Sequence, residues 1–297
     1  MSETSTSKGL TFGLSAYLIW GSFPLIISAL AFAGPWEIVV WRIVFGFLTA
    51  AVLIAFRKDF KQLIVIMKNW SQFKWVIIST VLIMVNWQIY VIAIVEHHVI
   101  ESSLGYFINP LVTIGLAVVF LKERLSKLQW TAVAFGFVAV IVLTFDYGRL
   151  PWLALGLAFS FAIYGLAKSK LGGQVSAVNS FALESGLLIP VAIIQLWLVA
   201  LTPAGITFLS QGFWGAAGLG LYGVMTAVPL ILFGLAAQHL PLRYIGFMQY
   251  LTPSIQFVLA LTVFHEPMPN ARWIGFGLVW FALVLLSIDL LRQKPTK

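Results

Sequence analysis

The sequence predicts an all-α polytopic membrane protein, with ten transmembrane helices built as two inverted five-helix repeats. Three observations carry that prediction. Apolar runs of about 20 residues recur from end to end, enough to cross a hydrocarbon core about 30 Å thick. The lysines and arginines alternate between successive loops. One long segment returns after a fixed interval.

The apolar runs come first. Of 297 residues, 61% are hydrophobic and 9% charged, with a mean hydropathy of +0.98. A soluble domain usually carries about 25% charged residues. The spans are expected at roughly 10–32, 36–56, 75–95, 101–121, 127–145, 151–168, 176–200, 213–237, 243–264 and 271–291. Residues Met1 to Lys8 are polar and expected to be disordered. Ala29-Leu30-Ala31 and Ala31-Phe32-Ala33 look like leader-peptidase sites, but the apolar run before them, from Leu10, exceeds the usual core of about 7–15 residues. The first span is therefore expected to stay in place. Most loops are too short to fold separately. The exception is 57–74, whose apolar centre, Leu63 to Met67, cannot span; it reads as an interfacial helix among Lys58, Lys61, Lys68 and Lys74.

The charges then orient the spans. One set of loops and ends holds Lys8, Arg57, Lys58, Lys61, Lys68, Lys74, Lys122, Arg124, Lys127, Lys168, Lys170, Arg243, Arg292, Lys294 and Lys297, which is 15 cations. The other set holds Arg149 and Arg272, and Arg42 lies within a span. Cytoplasmic loops carry the excess of lysine and arginine, so both termini are expected in the cytoplasm.

The repeat is legible in two stretches, ESSLGYFINPLVTIGLAVVFLKERLSKLQW and YIGFMQYLTPSIQFVLALTVFHEPMPNARW. Pro110, Glu123 and Trp130 match Pro253, Glu266 and Trp273, all three at one and the same interval along the chain. Trp20-Gly21 matches Tyr164-Gly165 at an interval longer by a single position. The repeats are drawn at 1–147 and 148–297. Each holds five spans, an odd number, so the second copy inserts upside down. The loops agree: KERLSK is basic and inside, whereas its counterpart HEPMPN has no lysine or arginine and lies outside.

Several classes of function are set aside. With no cysteine, thiol redox chemistry, haem attachment and cysteine metal sites are excluded. The formal charge of +8 sits in short loops between spans, so it orients the protein and does not bind nucleic acid. His97 and His98, with Glu96 and Glu101 near, point about 100° apart on a helix and make a poor chelate, so no metal is expected. Gly215, Gly218 and Gly220 suit close helix contact and lack the strand-turn-helix setting of a phosphate loop. No nucleotide motif and no cofactor site is recognised.

Ionisable groups inside spans are expensive and mark function by default. Arg42 in span 2 and Glu184 in span 7 occupy repeat-equivalent positions, one position short of the interval shared by Pro110 and Pro253. At about 1.5 Å per residue they differ in depth by about 9 Å, so a direct salt bridge is not implied. Either Glu184 is a proton site and Arg42 anchors an anion or carboxylate, or neighbouring helices simply satisfy both. In span 3, Asn86, Trp87, Gln88 and Tyr90 form a polar aromatic group, with Asn86 and Tyr90 on one helical face. With Tyr106 and Asn109 of span 4 they either line a cavity or join helices by hydrogen bonds. Pro110 and Pro253 each remove a helix hydrogen bond in mid-span and read equally as hinges or static kinks.

NWQIY at Asn86–Tyr90, HHVIESSLGYFINPL at His97–Leu111, KERLSKLQW, ALGLAFSFAIYGL, TAVPLILF and LPLRYIGFMQYLTPSIQFVLA resemble the RarD group of the EamA branch of the drug/metabolite transporter superfamily. The resemblance runs from span 1 to span 10. It implies a bacterial inner-membrane permease with a central cavity lined mainly by spans 1, 3, 4, 6, 8 and 9. Tyr17, Trp20, Asn86, Trp87, Tyr90, Tyr106, Asn109, Tyr164, Gln249 and Tyr250 are then the substrate-binding candidates. Arg42 and Glu184 fall where the family carries an arginine and a glutamate. One departure stands out: the family often reads WAVN where this chain has Ile92-Ala93-Ile94-Val95, which removes a polar wall group at Val95.

The expectation is a non-enzymatic secondary transporter bounded by lipid, with a small molecule as its partner and protons as a candidate second one. A membrane enzyme would need clustered carboxylates or histidines in the spans. A sensor or assembly protein that moves nothing is the remaining alternative. The absence of native cysteine makes topology directly testable. Single cysteines at Ser7 and Lys294 should react with an impermeant maleimide only from the cytoplasm, and one at Arg149 only from outside. Termini on opposite faces would sink the ten-span arrangement.

Overall fold

The computed structural model describes residues 3–121, 125–171, 175–240 and 248–292. Lys122, Glu123, Arg124, Arg243, Lys294 and Lys297 lie outside the described residues. Among the described residues the chain is helical and without strands: α1 (Glu3–Ala29), α2 (Gly34–Arg57), α3 (Phe60–Lys68), α4 (Trp70–Val95), α5 (Val99–Leu121), α6 (Lys127–Tyr147), α7 (Trp152–Leu171), α8 (Ala177–Ala200), α9 (Gly212–His239), α10 (Leu251–Thr262) and α11 (Asn270–Arg292). Nine of these are long and apolar enough to cross a membrane, and α10 is a shorter apolar helix.

Two expectations change. Residues 3–8 are the first turns of α1 and not a disordered tail. Once the apolar stem has nucleated a helix, extending it costs little even through polar residues. The expected span at 243–264 is described only from 248 onward; a turn at 249–250 precedes α10, and Pro253 is the third residue of that helix. In a first turn the missing N–H costs no internal bond. Pro110, by contrast, lies inside α5.

The packing is that of a bundle in lipid. Phe56, Phe145 and Trp214 are each more than four-fifths exposed, at 83%, 82% and 82%. Exposed tryptophans also sit in the first turn of six helices: Trp36, Trp70, Trp130, Trp152, Trp214 and Trp273. Indoles at helix ends occupy the membrane–water boundary, with an apolar body and a polar N–H. The short α3 buries Ile66 against Val76, Leu171 and Leu183 while Phe60, Ile64, Val65 and Met67 face outward. That amphipathic division suits the interfacial helix expected there.

Three carboxylates tie loops and helix starts together. Glu101 accepts from Arg149 Nη2 at 2.8 Å and from the Leu153 amide at 3.1 Å, at the start of α7. Glu37 accepts from the Thr207 amide and hydroxyl at 2.8 and 2.9 Å. Glu266, in the loop before α11, accepts from the amides of Val99 and Ile100 at 2.5 and 2.8 Å and so caps α5 from the other half of the chain. Burial raises the Glu266 pKa, while those two amides oppose the rise. His97 takes a left-handed φ of 58° at the corner between α4 and α5, where the His98 amide donates to Ala93. The histidines thus turn the chain, and among the described residues no group of three or more His, Asp or Glu is placed to hold a metal.

Glycines set the closest helix approaches. Gly218 faces Leu30 and Gly220 faces Phe45. A Cβ on Gly105 would lie 2.7 Å from the Ala154 carbonyl oxygen and 2.9 Å from Leu157 Cβ, at the contact of α5 with α7. Backbone cannot retreat as a side chain can. Gly105→Ala should therefore destabilise the bundle by about 1–3 kcal/mol, the usual cost of overpacking. Thermal unfolding in detergent reads it. Gly277→Ala, with nothing within 4 Å, should leave the midpoint unchanged or slightly raised.

Candidate functional site

A cavity of about 510 Å³ lies between the helices and is lined by α1, α2, α4, α5, α7, α8, α9 and α10. Nine of the ten expected substrate-binding residues line it: Tyr17, Trp20, Asn86, Trp87, Tyr90, Tyr106, Asn109, Tyr164 and Gln249. Tyr250 does not; it precedes α10 and packs against the main core. Pro253 lines the cavity and Pro110 does not. Arg42 and Glu184 both do, so α2 and α8 each send one ionisable side chain inward to join the helices expected to form the walls. Val95 lies at the far end of α4, away from the wall, so the departure from the family pattern there removes nothing from the cavity.

Arg42 and Glu184 have different partners and are not paired with each other. The Arg42 guanidinium lies 4.2 Å from the Trp87 ring centre, 5.1 Å from that of Tyr222 and 5.8 Å from that of Phe23. Its Nη1 donates to the Tyr222 hydroxyl at 2.8 Å, and its buried Nε has no partner. Such a cage stabilises a desolvated cation through the ring quadrupoles. Glu184 is satisfied in the ordinary way. It accepts from Lys168 Nζ at 2.7 Å and from the Ser79 hydroxyl at 2.6 Å, with Ser180 at 3.4 Å and Tyr164 at 3.5 Å. Lys168 also donates to Ser180.

The polar wall is built from several hydrogen-bonded groups, the largest of them around Asn86. Asn86 donates to Leu157 O at 3.2 Å and to Ser160 Oγ at 3.0 Å, and accepts from the Tyr106 hydroxyl at 3.3 Å. Tyr90 leaves that group: its hydroxyl accepts from Gln256 Nε2 at 2.9 Å, although its ring meets Tyr106 edge-on at 5.8 Å. Asn109 donates to Ala158 O at 3.0 Å. Gln88 faces elsewhere, toward Gln195 and Pro35. Cavity lining and helix joining are therefore done by the same side chains.

Sequence reasoning missed Lys168, Ser180, Thr226, Thr252 and Gln256 of the lining, and Ser79 and Tyr222 behind it. In the sequence Lys168 reads only as an orienting charge. A signal is present all the same: it follows Tyr164 by four residues and so shares a helix face with a candidate wall residue.

Known proteins resemble this chain over its whole length. Residues 7–145 match the model of the EamA-like transporter family. The chain is 41% identical to protein RarD of Streptomyces exfoliatus, over 98% of this chain and 91% of that one. It is 38% identical to an uncharacterized transporter of Pseudomonas aeruginosa, over 99% and 97%. Protein RarD of Escherichia coli is 35% identical over 97% of each chain. A solved crystal structure, 15% identical, superposes with a TM-score of 0.59 over 99% of this chain and 100% of that one, and shares the fold.

The ion pair gives a stability test. Glu184 is 3% exposed and Lys168 28%. Removing one partner leaves a buried charge uncompensated, which costs about 3 kcal/mol, at the lower end of the usual range because Lys168 is partly solvated. Lys168→Met should lower the unfolding midpoint accordingly. Adding Glu184→Leu should recover most of the loss. A single variant as stable as the parent would show that the pair carries no stability.

Proposed function

The chain belongs to the EamA-like transporter family and is a multi-pass membrane transporter, and on that premise we propose that it is a secondary transporter of the bacterial inner membrane. It exports a small amphipathic or amino-acid-like metabolite by alternating access. The observation that carries this reading is the cavity: aromatic walls, a few amides and the charged Arg42, Lys168 and Glu184 enclose a volume suited to one small organic molecule.

The finer arrangement, ten spans as two inverted repeats, rests on paired interactions. Arg42 bonds Tyr222 and Glu184 bonds Ser79; Glu184 is the repeat equivalent of Arg42, and Tyr222 that of Ser79. Asp146 bonds Arg272, and its repeat equivalent Asp289 accepts from Ser126. Asn109 donates to Ala158 O, and its repeat equivalent Thr252 donates to Tyr17 O. Helix contacts follow the same exchange: α1 packs on α9 as α7 packs on α4, and α5 on α7 as α10 on α1. A twofold relation of antiparallel halves accounts for all of them.

The cavity extends to Leu171, Val175 and Ala177, the end of the bundle to which the charge pattern assigns the cytoplasm. At the opposite end Glu266 ties the second half to the start of α5. This favours an inward-open arrangement. Alternating access then moves one half against the other about the site, without nucleotide hydrolysis.

Liposomes containing only this protein, offered a metabolite library, should show protein-dependent flux of at least one member. No flux of any member would favour the non-transporting sensor or assembly protein. Proton coupling is separable. Glu184→Gln, nearly isosteric, should abolish accumulation driven by an imposed pH gradient while downhill exchange continues. Normal gradient-driven uptake by a well-inserted Glu184→Gln protein would eliminate the coupling role.

A further inference from the structure

We propose that Arg42 is the anchor for a carboxylate on the transported molecule, so that the substrate class is small organic monoanions with an aromatic or apolar body. This rests on the transport reading only in taking the cavity as the substrate site.

Three features of Arg42 point to a missing anion. First, it is a lining residue that is only 5% exposed, yet it has no carboxylate partner among the described residues, where three ion pairs engage Glu101, Glu184 and Asp146. Second, its fork is underused. A guanidinium offers five N–H donors in a planar array that matches a carboxylate edge. Here only Nη1 has a hydrogen-bond acceptor, the Tyr222 hydroxyl, and Nε is buried without one. Third, the aromatic rings of Phe23, Trp87 and Tyr222 hold the cation in place without neutralising it. Ring faces offset part of the desolvation cost and leave the full positive charge available to a ligand.

The charge balance of the cavity gives the valence. Three described lining side chains carry full charge: Arg42, Lys168 and Glu184. Lys168 and Glu184 neutralise each other at 2.7 Å. Among these described residues one positive charge is left, and one carboxylate balances it. A dianion would enter with an unpaired charge, and an organic cation would meet Arg42 as a like charge. The surrounding Trp20, Tyr90, Tyr106, Phe161 and Phe233 supply flat apolar surface for the rest of the molecule. Bidentate pairing inside such walls is stronger than in water and directional, so it selects carboxylate over an amide of equal shape.

The test uses the detergent-solubilised full chain and three matched probes: 3-phenylpropanoate, 3-phenylpropanamide and 3-phenylpropylammonium. Calorimetric binding should favour the carboxylate over the amide by about tenfold or more, the scale of a charge-assisted bidentate pair, with the ammonium weakest. In Arg42→Gln the carboxylate should fall to the level of the amide while amide binding persists, which also reports an intact cavity. Arg42→Lys keeps the charge but not the fork, should retain only part of the preference, and serves if the glutamine variant fails to insert. A wild-type protein with no preference for carboxylate, or a folded Arg42 variant that keeps the full preference, overturns the assignment. Flux without this preference would overturn the anchor alone. The preference without flux of any substrate would overturn the transport reading and leave the anchor standing.

Discussion

A polar group inside an apolar bundle has no water to fall back on, and its partner must come from the chain itself. That constraint organises this molecule. Its buried carboxylates and amides are bonded mostly across helices, many of them between the first and second halves of the sequence, whereas most buried hydroxyls turn back to a carbonyl of their own helix. Arg42 reaches Tyr222, Glu184 reaches Ser79, Asp146 reaches Arg272 and Asp289 receives Ser126. Small-residue packing of the kind at Gly105 and Gly218 brings the backbones close enough for those side chains to meet. In lipid, apolar contact alone would not distinguish one helix neighbour from another. The polar pairs do.

The same constraint explains why one pair of equivalent positions behaves so differently. Arg42 and Glu184 sit on α2 and α8, which pack against each other, and each sends its side chain to the opposite half. Glu184 is enclosed by hydroxyls and by the ammonium of Lys168. The position on the other side of the exchange has no carboxylate to offer Arg42, only rings and one phenol. One end of the cavity is therefore internally balanced, and at the other no described carboxylate cancels the charge of Arg42. The cavity is thus electrostatically asymmetric among its described residues.

Much of this was legible in the sequence, because the signals are local or periodic. Apolar length marks the spans, nine of which appear as helices long enough to cross a membrane among the described residues. Aromatic and amide residues in mid-span mark most of the wall, from Trp20 to Gln249. What stayed hidden depends on rotation and depth. Lys168 reads as a loop cation until the helix is seen to turn it toward Glu184. Tyr222 reads as a generic span aromatic until α9 lies against α2. Tyr90 shares a helical face with Asn86, yet it bonds Gln256 of α10 and not the Asn86 group, because α10 approaches that turn of α4. Val95 marks a departure from a family pattern but stands beyond the wall. A one-dimensional pattern gives the face of a helix and says little about which neighbour meets it.

The two halves also differ in backbone, and that difference bears on movement. α5 continues through Pro110 without a break, whereas in the matching segment a turn at 249–250 separates the helical Met248 from α10. The sequences of the two segments are alike enough to share the proline, so local propensity does not set them apart. Their surroundings do. α5 has its first amides capped by Glu266 from the opposite half, at the end of the bundle away from the cavity mouth. α10 carries Thr252, Pro253 and Gln256 into the lining. Under the alternating-access mechanism proposed above, two similar repeats would hold two different conformations at once, and transport would exchange them. On that proposal, proline at the shared position would keep both conformations accessible, because it removes a backbone bond that would otherwise favour the continuous helix.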